Sequence, residues 1–90
     1  MKGIKNAWED DKGRIGIIEV EEKVFGSTFH PVVWKDEKRN YHVINNLWYT
    51  TYHGAREFFR APTNRFAVEG RMKKIVVESE ECYAVADGTL

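Results

Sequence analysis

One window of this chain carries a helical period long enough to shape the whole fold. Projected at 100° per residue, residues 46–61 place Leu47, Trp48, Thr51, Tyr52, Ala55, Phe58 and Phe59 within an arc of about 140°, with Tyr49, His53, Arg56, Glu57 and Arg60 on the complementary arc. Asn45 or Asn46 is the expected N-cap, and Pro62 stops the helix near Ala61. Gly54 and the Thr50, Thr51 pair cost about 1–2 kcal/mol of helix propensity. The same residues therefore admit a second reading, strand through Tyr52 and a short helix from Gly54 onward. Elsewhere the apolar residues come in short runs bounded by turn formers, which restricts the fold to one helix set against several short strands.

The β-branched residues Ile15, Ile17, Ile18, Val20 and Val24 favour a strand over residues 14–25, and the adjacency of Ile17 and Ile18 after Gly16 predicts a bulge there. Upstream, Trp8 stands alone in a polar run that closes on an Asp-Lys-Gly turn at residues 11–13. Thr28–Trp34 is the next strand; His30-Pro31 assigns it to a sheet edge, because proline cannot donate to a ladder. A solvated connection over residues 35–40 leads to a strand at Tyr41–Ile44, completing a hairpin. Beyond Pro62, Phe66 and Val68 alternate with Arg65, Ala67 and Glu69, predicting a strand over 64–69. A turn at Glu69, Gly70 and Arg71 joins it to a strand over 72–77, and residues 82–85 add a last short one. The expected fold is α+β: an antiparallel sheet of five or six short strands packed on one amphipathic helix, in the order three strands, helix, two or three strands. Ninety residues make a single domain spanning 1–90. The helix is expected to bury Trp48, Tyr52, Ala55 and Phe59, and the Thr28–Trp34 edge offers a route to a homo-oligomer.

A lone cysteine, Cys82, excludes an internal disulfide, so stability rests on packing, for which the 12 aromatic residues supply the material. Glu80 and Glu81 disfavour a Cys82 thiolate and mark it as a small buried hydrophobe. No apolar run spans a bilayer and no signal-peptide pattern is present, which predicts a cytoplasmic protein without a membrane partner. His30, His42 and His53 lack metal-ligand spacing, and neither a nucleophile elbow nor a phosphate-cradling glycine loop occurs. His53 and Glu57, four apart, read as ordinary helix support. The expectation is a protein with no enzymatic activity, catalytic residue, metal or cofactor.

Fourteen basic and 14 acidic residues cancel, but unevenly along the chain. Residues 38–74 carry eight basic side chains against Glu57 and Glu69 alone, whereas residues 1–37 and 75–90 are net acidic. Such asymmetry points to an anionic partner unless the blocks neutralise each other in space. On the polar flank of the helix, Tyr49, His53, Arg56 and Arg60 fall within about 60° of arc. Guanidinium groups fork onto phosphates and stack on bases, and tyrosine or histidine adds a second stacking surface. Arg65, Arg71, Lys73 and Lys74 extend this basic set if the following hairpin packs beside the helix. The expected ligand is a phosphate-bearing one, a nucleotide or single-stranded nucleic acid, bound by Tyr49, His53, Arg56, Arg60, Arg65 and Arg71. The alternative partner is a protein target. The short, aromatic-rich build is similar in style to small phage inhibitor or adaptor proteins, and acidic surfaces at 9–11, 19–22 and 78–81 then mimic nucleic acid before a basic partner.

Overall fold

The computed structural model describes residues 4–24, 26–37, 40–61, 65–68, 70–76 and 84–87. Six strands, β1 (Ile4–Glu9), β2 (Ile15–Glu22), β3 (Gly26–Trp34), β4 (Tyr41–Val43), β5 (Lys73–Ile75) and β6 (Ala84–Asp87), form one sheet in the order β5-β1-β2-β3-β4-β6. The first five are joined antiparallel, and β6 adds to β4 in parallel. Among the described residues one α-helix, α1 (Tyr52–Phe58), follows β4 and packs on β2 and β3, which is the α+β architecture expected.

Four strands, not three, precede the helix. The additional one, β1, lies between β5 and β2, yet its alternation is broken where the register shifts between Ile4 and Asn6. The bulge is therefore in β1 and not at Ile17–Ile18. β2 pairs with β3 without interruption from Ile15 opposite Val33 to Glu22 opposite Gly26. Adjacent isoleucines need no bulge because both faces of the sheet are covered. Ile15 and Ile17 join Ile44, Ala55, Phe59 and Met72 on the helix side, while Ile18 joins Ala7, Val32, Trp34, Tyr41 and Val43 on the other. Gly16 belongs to the second face, where the Trp34 indole lies against its bare backbone; an added Cβ would sit 2.5 Å from Trp34 Cζ2.

β3 lies between β2 and β4, but β4 pairs only with Val32, Val33 and Trp34, so the edge expected over Thr28–Trp34 is covered by a strand at its C-terminal end and elsewhere meets only the bridge from Phe29 to Tyr49. Pro31 is tolerated for a local reason. The Phe29 N–H points away from β2 to the Tyr49 carbonyl, 2.7 Å away, so two residues on the missing Pro31 N–H faces the same way. On that side β4 has ended and a 3-10 turn at Ile44–Asn46 intervenes, with Asn45 and Asn46 at φ of 51° and 55°. Asparagine accepts this left-handed geometry more readily than most residues.

The helix is seven residues long, shorter than the predicted span and nearer the second reading. Tyr49 is held extended by two backbone bonds to Phe29, and Thr51 caps the helix by accepting from the Gly54 N–H at 3.0 Å. Ala55 and Phe59 are fully buried and Tyr52 is half-buried, as expected; Trp48 precedes the helix and is 47% exposed. The predicted strand over 64–69 does not form among the described residues: the Val68 N–H bonds the Phe59 carbonyl at 2.8 Å, and Phe66 and Val68 pack beneath the helix end. The hairpin predicted with residues 72–77 is replaced by pairing of β5 with β1. Cys82, Glu69 and Glu78–Glu81 lie outside the described residues.

Candidate functional site

The side chains expected on one helix flank are distributed over several surroundings. Tyr49 packs beside the helix at Gly54, where an added Cβ would meet its ring at 3.1 Å. His53 is exposed, its ring 6.0 Å from that of Tyr52. Arg60, exposed, pairs with Glu57 at 3.5 Å, and exposed Arg65 lies 4.8 Å over the Phe66 ring. Arg71 is exposed on the approach to β5. Arg56 departs most from expectation, being only 5% exposed. Its Nη2 donates to the Val68 carbonyl at 3.2 Å and to the Gly70 carbonyl, tying the chain after the helix back onto it. Nη1 is buried with no hydrogen-bond partner among the described residues. The shortened helix explains this: at 100° per residue Arg56 falls beside Tyr52 and Phe59, at the margin of the buried arc. Arg56 holds the fold and is not a surface contact.

What the fold brings together instead is the part of the helix-side sheet face that carries Trp8 and Phe29. Register places Asn6, Glu19 and Phe29 in one row across β1, β2 and β3, and Trp8, Ile17 and Pro31 in the next. The helix closes over the second row, with the Tyr52 and Trp8 rings 4.7 Å apart and Phe29 6.2 Å from Trp8. All three residues are partly buried. Lys74 stands opposite Trp8 on the edge strand. Arg56 and Arg60 both project positive potential onto the Tyr52 hydroxyl, although burial outweighs them and raises the phenol above its ordinary pKa.

Glu19 is the unusual member of the first row, a buried carboxylate on a central strand with 9% of its surface accessible. Asn6 Nδ2 donates to its Oε1 at 2.8 Å, and the Ser27 side chain supplies a second hydrogen bond. Burial pushes the carboxyl up, but these hydrogen bonds together with Lys5 and Lys74 outweigh it and hold the group below its ordinary value. Glu19 is therefore an ionised acceptor held in a fixed place. Trp8 stands in a polar run and Glu19 in an acidic one, and neither pattern places them on one face while β1 is read as irregular chain. Read as a strand, Asn6 and Trp8 alternate with Ala7 and would have fallen on one face.

Among the described acidic residues, Glu9 and Asp10 are engaged within the fold, whereas Asp11 and Glu21 are exposed. Asp10 Oδ1 accepts from the N–H groups of Arg14 (2.8 Å) and Ile15 (3.2 Å), closing the β1–β2 loop, and Glu9 pairs with Lys73 at 3.9 Å. Among the described residues no group of three His, Cys, Asp or Glu side chains could hold a metal ion, and no helix is long and apolar enough to cross a membrane. No protein-family model matches the chain, and no curated protein or solved structure matches it.

Proposed function

We propose that this protein is a non-enzymatic binder of single-stranded nucleic acid, taking bases against Trp8, Phe29 and Tyr52 while Lys5, Lys74 and Arg60 face the phosphates. The observation that carries this reading is the contact of three half-buried aromatic rings from three elements beside a polar row and two lysines. Base stacking on aromatic side chains is worth about 1–3 kcal/mol per base and tolerates any sequence, and cations along the rim add a salt-dependent term. His53 lies close enough to Tyr52 to share in stacking, and Arg65 and Arg71 contribute to the positive field at longer range. Arg56 has no part in this contact.

The reading is tested by thermal shift with a panel of short oligonucleotides. A ligand at a hundred times its dissociation constant stabilises by about 2.7 kcal/mol, which raises Tm by on the order of 10–20 °C in a domain this small. The Trp8→Ala variant should lose most of the shift. No shift with any oligonucleotide at millimolar concentration overturns the proposal.

A further inference from the structure

We infer that the outer edge of β5 takes an extended acidic segment of a partner protein as an added strand, with carboxylates against Lys73 and Lys74 and β-branched side chains against Ile75 and Val76. The surface adjoins the aromatic contact and shares Lys5 and Lys74 with it. Such a strand therefore competes with nucleic acid, but its binding does not require the nucleic-acid reading.

The backbone is the first observation. Among the described residues β5 is the outermost strand on its side of the sheet and pairs with β1 alone. The Asp10 N–H donates to the Ile15 carbonyl at 3.1 Å, so by alternation Trp8 turns its backbone groups to β2 while Ala7 and Glu9 turn theirs to β5. Ile75 and Lys73 answer them, which leaves the Lys74 N–H and carbonyl facing outward from the ladder. Groups so placed are what an added strand pairs with.

The second observation is an opening beside that edge. β1 runs on to Ile4, past the end of β5, and there Ile4, Ala7, Ile75 and Val76, with Lys5 and Lys74, line a groove of about 530 Å³. Ile4 and Ile75 are partly buried against the core, whereas Val76 is 81% exposed, an apolar surface that the alternate side chains of a strand cover. Charge is the third. Lys5, Arg71, Lys73 and Lys74 are exposed, while Glu9, which pairs with Lys73, and Glu19, which feels Lys5 and Lys74, are buried. The edge therefore presents cations to solvent and suits an acidic strand. A base finds no aromatic ring among the residues lining the groove. A second copy paired β5 to β5 sets its lysines against these, which cross-strand repulsion disfavours.

The probe is a fluorescein-labelled Glu-Glu-Val-Val-Glu-Glu hexapeptide, whose sequence reads the same in both directions and so suits parallel or antiparallel addition. It is titrated against the full chain by anisotropy at low salt. An exposed ion pair changes affinity by up to about fivefold, so Lys74→Glu, which removes one and installs a repulsion, should weaken binding about 10-fold. Of two adjacent strand residues one turns its N–H to β5 in any register. Methylating both valine nitrogens keeps the charge, blocks the pairing and should weaken binding at least about 10-fold. Equal binding of the methylated peptide overturns strand addition, and equal binding of Lys-Lys-Val-Val-Lys-Lys overturns the acidic partner. Failure of the unmodified peptide to bind at millimolar concentration overturns both. Dimerisation of the chain in sedimentation that the peptide does not reverse also overturns the proposal, in favour of a second copy. Should Lys74→Glu melt early, the three peptides on the wild type decide alone.

Discussion

Arg56 shows how far a side chain's role depends on where the helix begins and ends. Its guanidinium makes two charge-assisted hydrogen bonds to backbone carbonyls, at Val68 and Gly70, from a side chain with only 5% of its surface accessible. Each such bond is worth about 1.5–3 kcal/mol. Gly70 is exposed and its carbonyl regains water once the guanidinium is gone, so the lower end applies and the pair contributes about 3 kcal/mol. Loss of the packed methylenes adds about 1 kcal/mol, giving about 4 kcal/mol for Arg56→Ala. Arg56→Met keeps most of the stem volume and removes a buried charge, so it should cost about half as much. Arg60→Ala, by contrast, removes a side chain that is 60% exposed and paired with an equally exposed Glu57, and should stay within about 0.5 kcal/mol of wild type. Urea melts at pH 7, read by circular dichroism with a common m-value, measure all three. An Arg56→Ala protein as stable as wild type that loses oligonucleotide affinity would refute this reasoning, because it would place the guanidinium against the ligand.

Gly16→Ala drives a Cβ into the Trp34 ring and the Trp8 carbonyl and should cost about 1–3 kcal/mol or more; a neutral melt would show that the ring does not lie on this backbone. Phe59→Ala, at a fully buried position, should cost about 3–5 kcal/mol, whereas Trp48→Ala, at 47% exposure, should cost about 1 kcal/mol or less, and equal losses would contradict the helix boundary. Burial holds the His30 imidazole below its ordinary pKa, against the opposing pulls of the Leu47 carbonyl and the Glu22 carboxylate. The unfolded chain therefore takes up the proton first as pH falls through ~6.5, and stability is lost from there down toward the folded pKa. The melting temperature of His30→Gln should accordingly change less between pH 7 and pH 5.5 than that of wild type, and an identical pH dependence would exclude His30 as the source.

Much of the architecture was legible because it follows from local pattern. β2, β3 and β4 fall where β-branched and alternating residues put them, and the connection between β3 and β4 is closed by Asp36 accepting from Asn40, as its polar sequence implies. The misreadings share one physical origin, tertiary pairing that overrides local period. Residues 47–51 project well onto a helix, yet Tyr49 finds a better arrangement in its bridge to Phe29, which delays the helix to Tyr52 and turns Arg56 inward. Phe66 and Val68 alternate as in a strand, but they are the apolar contacts of a segment bonded to the Phe59 carbonyl. β1 escaped notice because its apolar content is only Ile4, Ala7 and Trp8, split across two faces and displaced by a bulge. The candidate site escaped with it. The rings that make contact with one another come from β1, β3 and the first turn of the helix, not from the single helix flank on which the basic and aromatic residues were expected.

The central claim is that the ligand lies against Trp8, Phe29 and Tyr52 and not on the outer flank of the helix. A titration of isotope-labelled protein with a short oligonucleotide, followed by two-dimensional proton–nitrogen NMR, tests this directly. The expected shifts are at the Trp8 indole, the Asn6 side-chain amide and the backbone amides of Phe29, Tyr52 and Lys74, with His53 responding more weakly. Shifts confined to Glu57, His53 and the exposed Trp48, with the Trp8 and Asn6 resonances unmoved, would contradict the account.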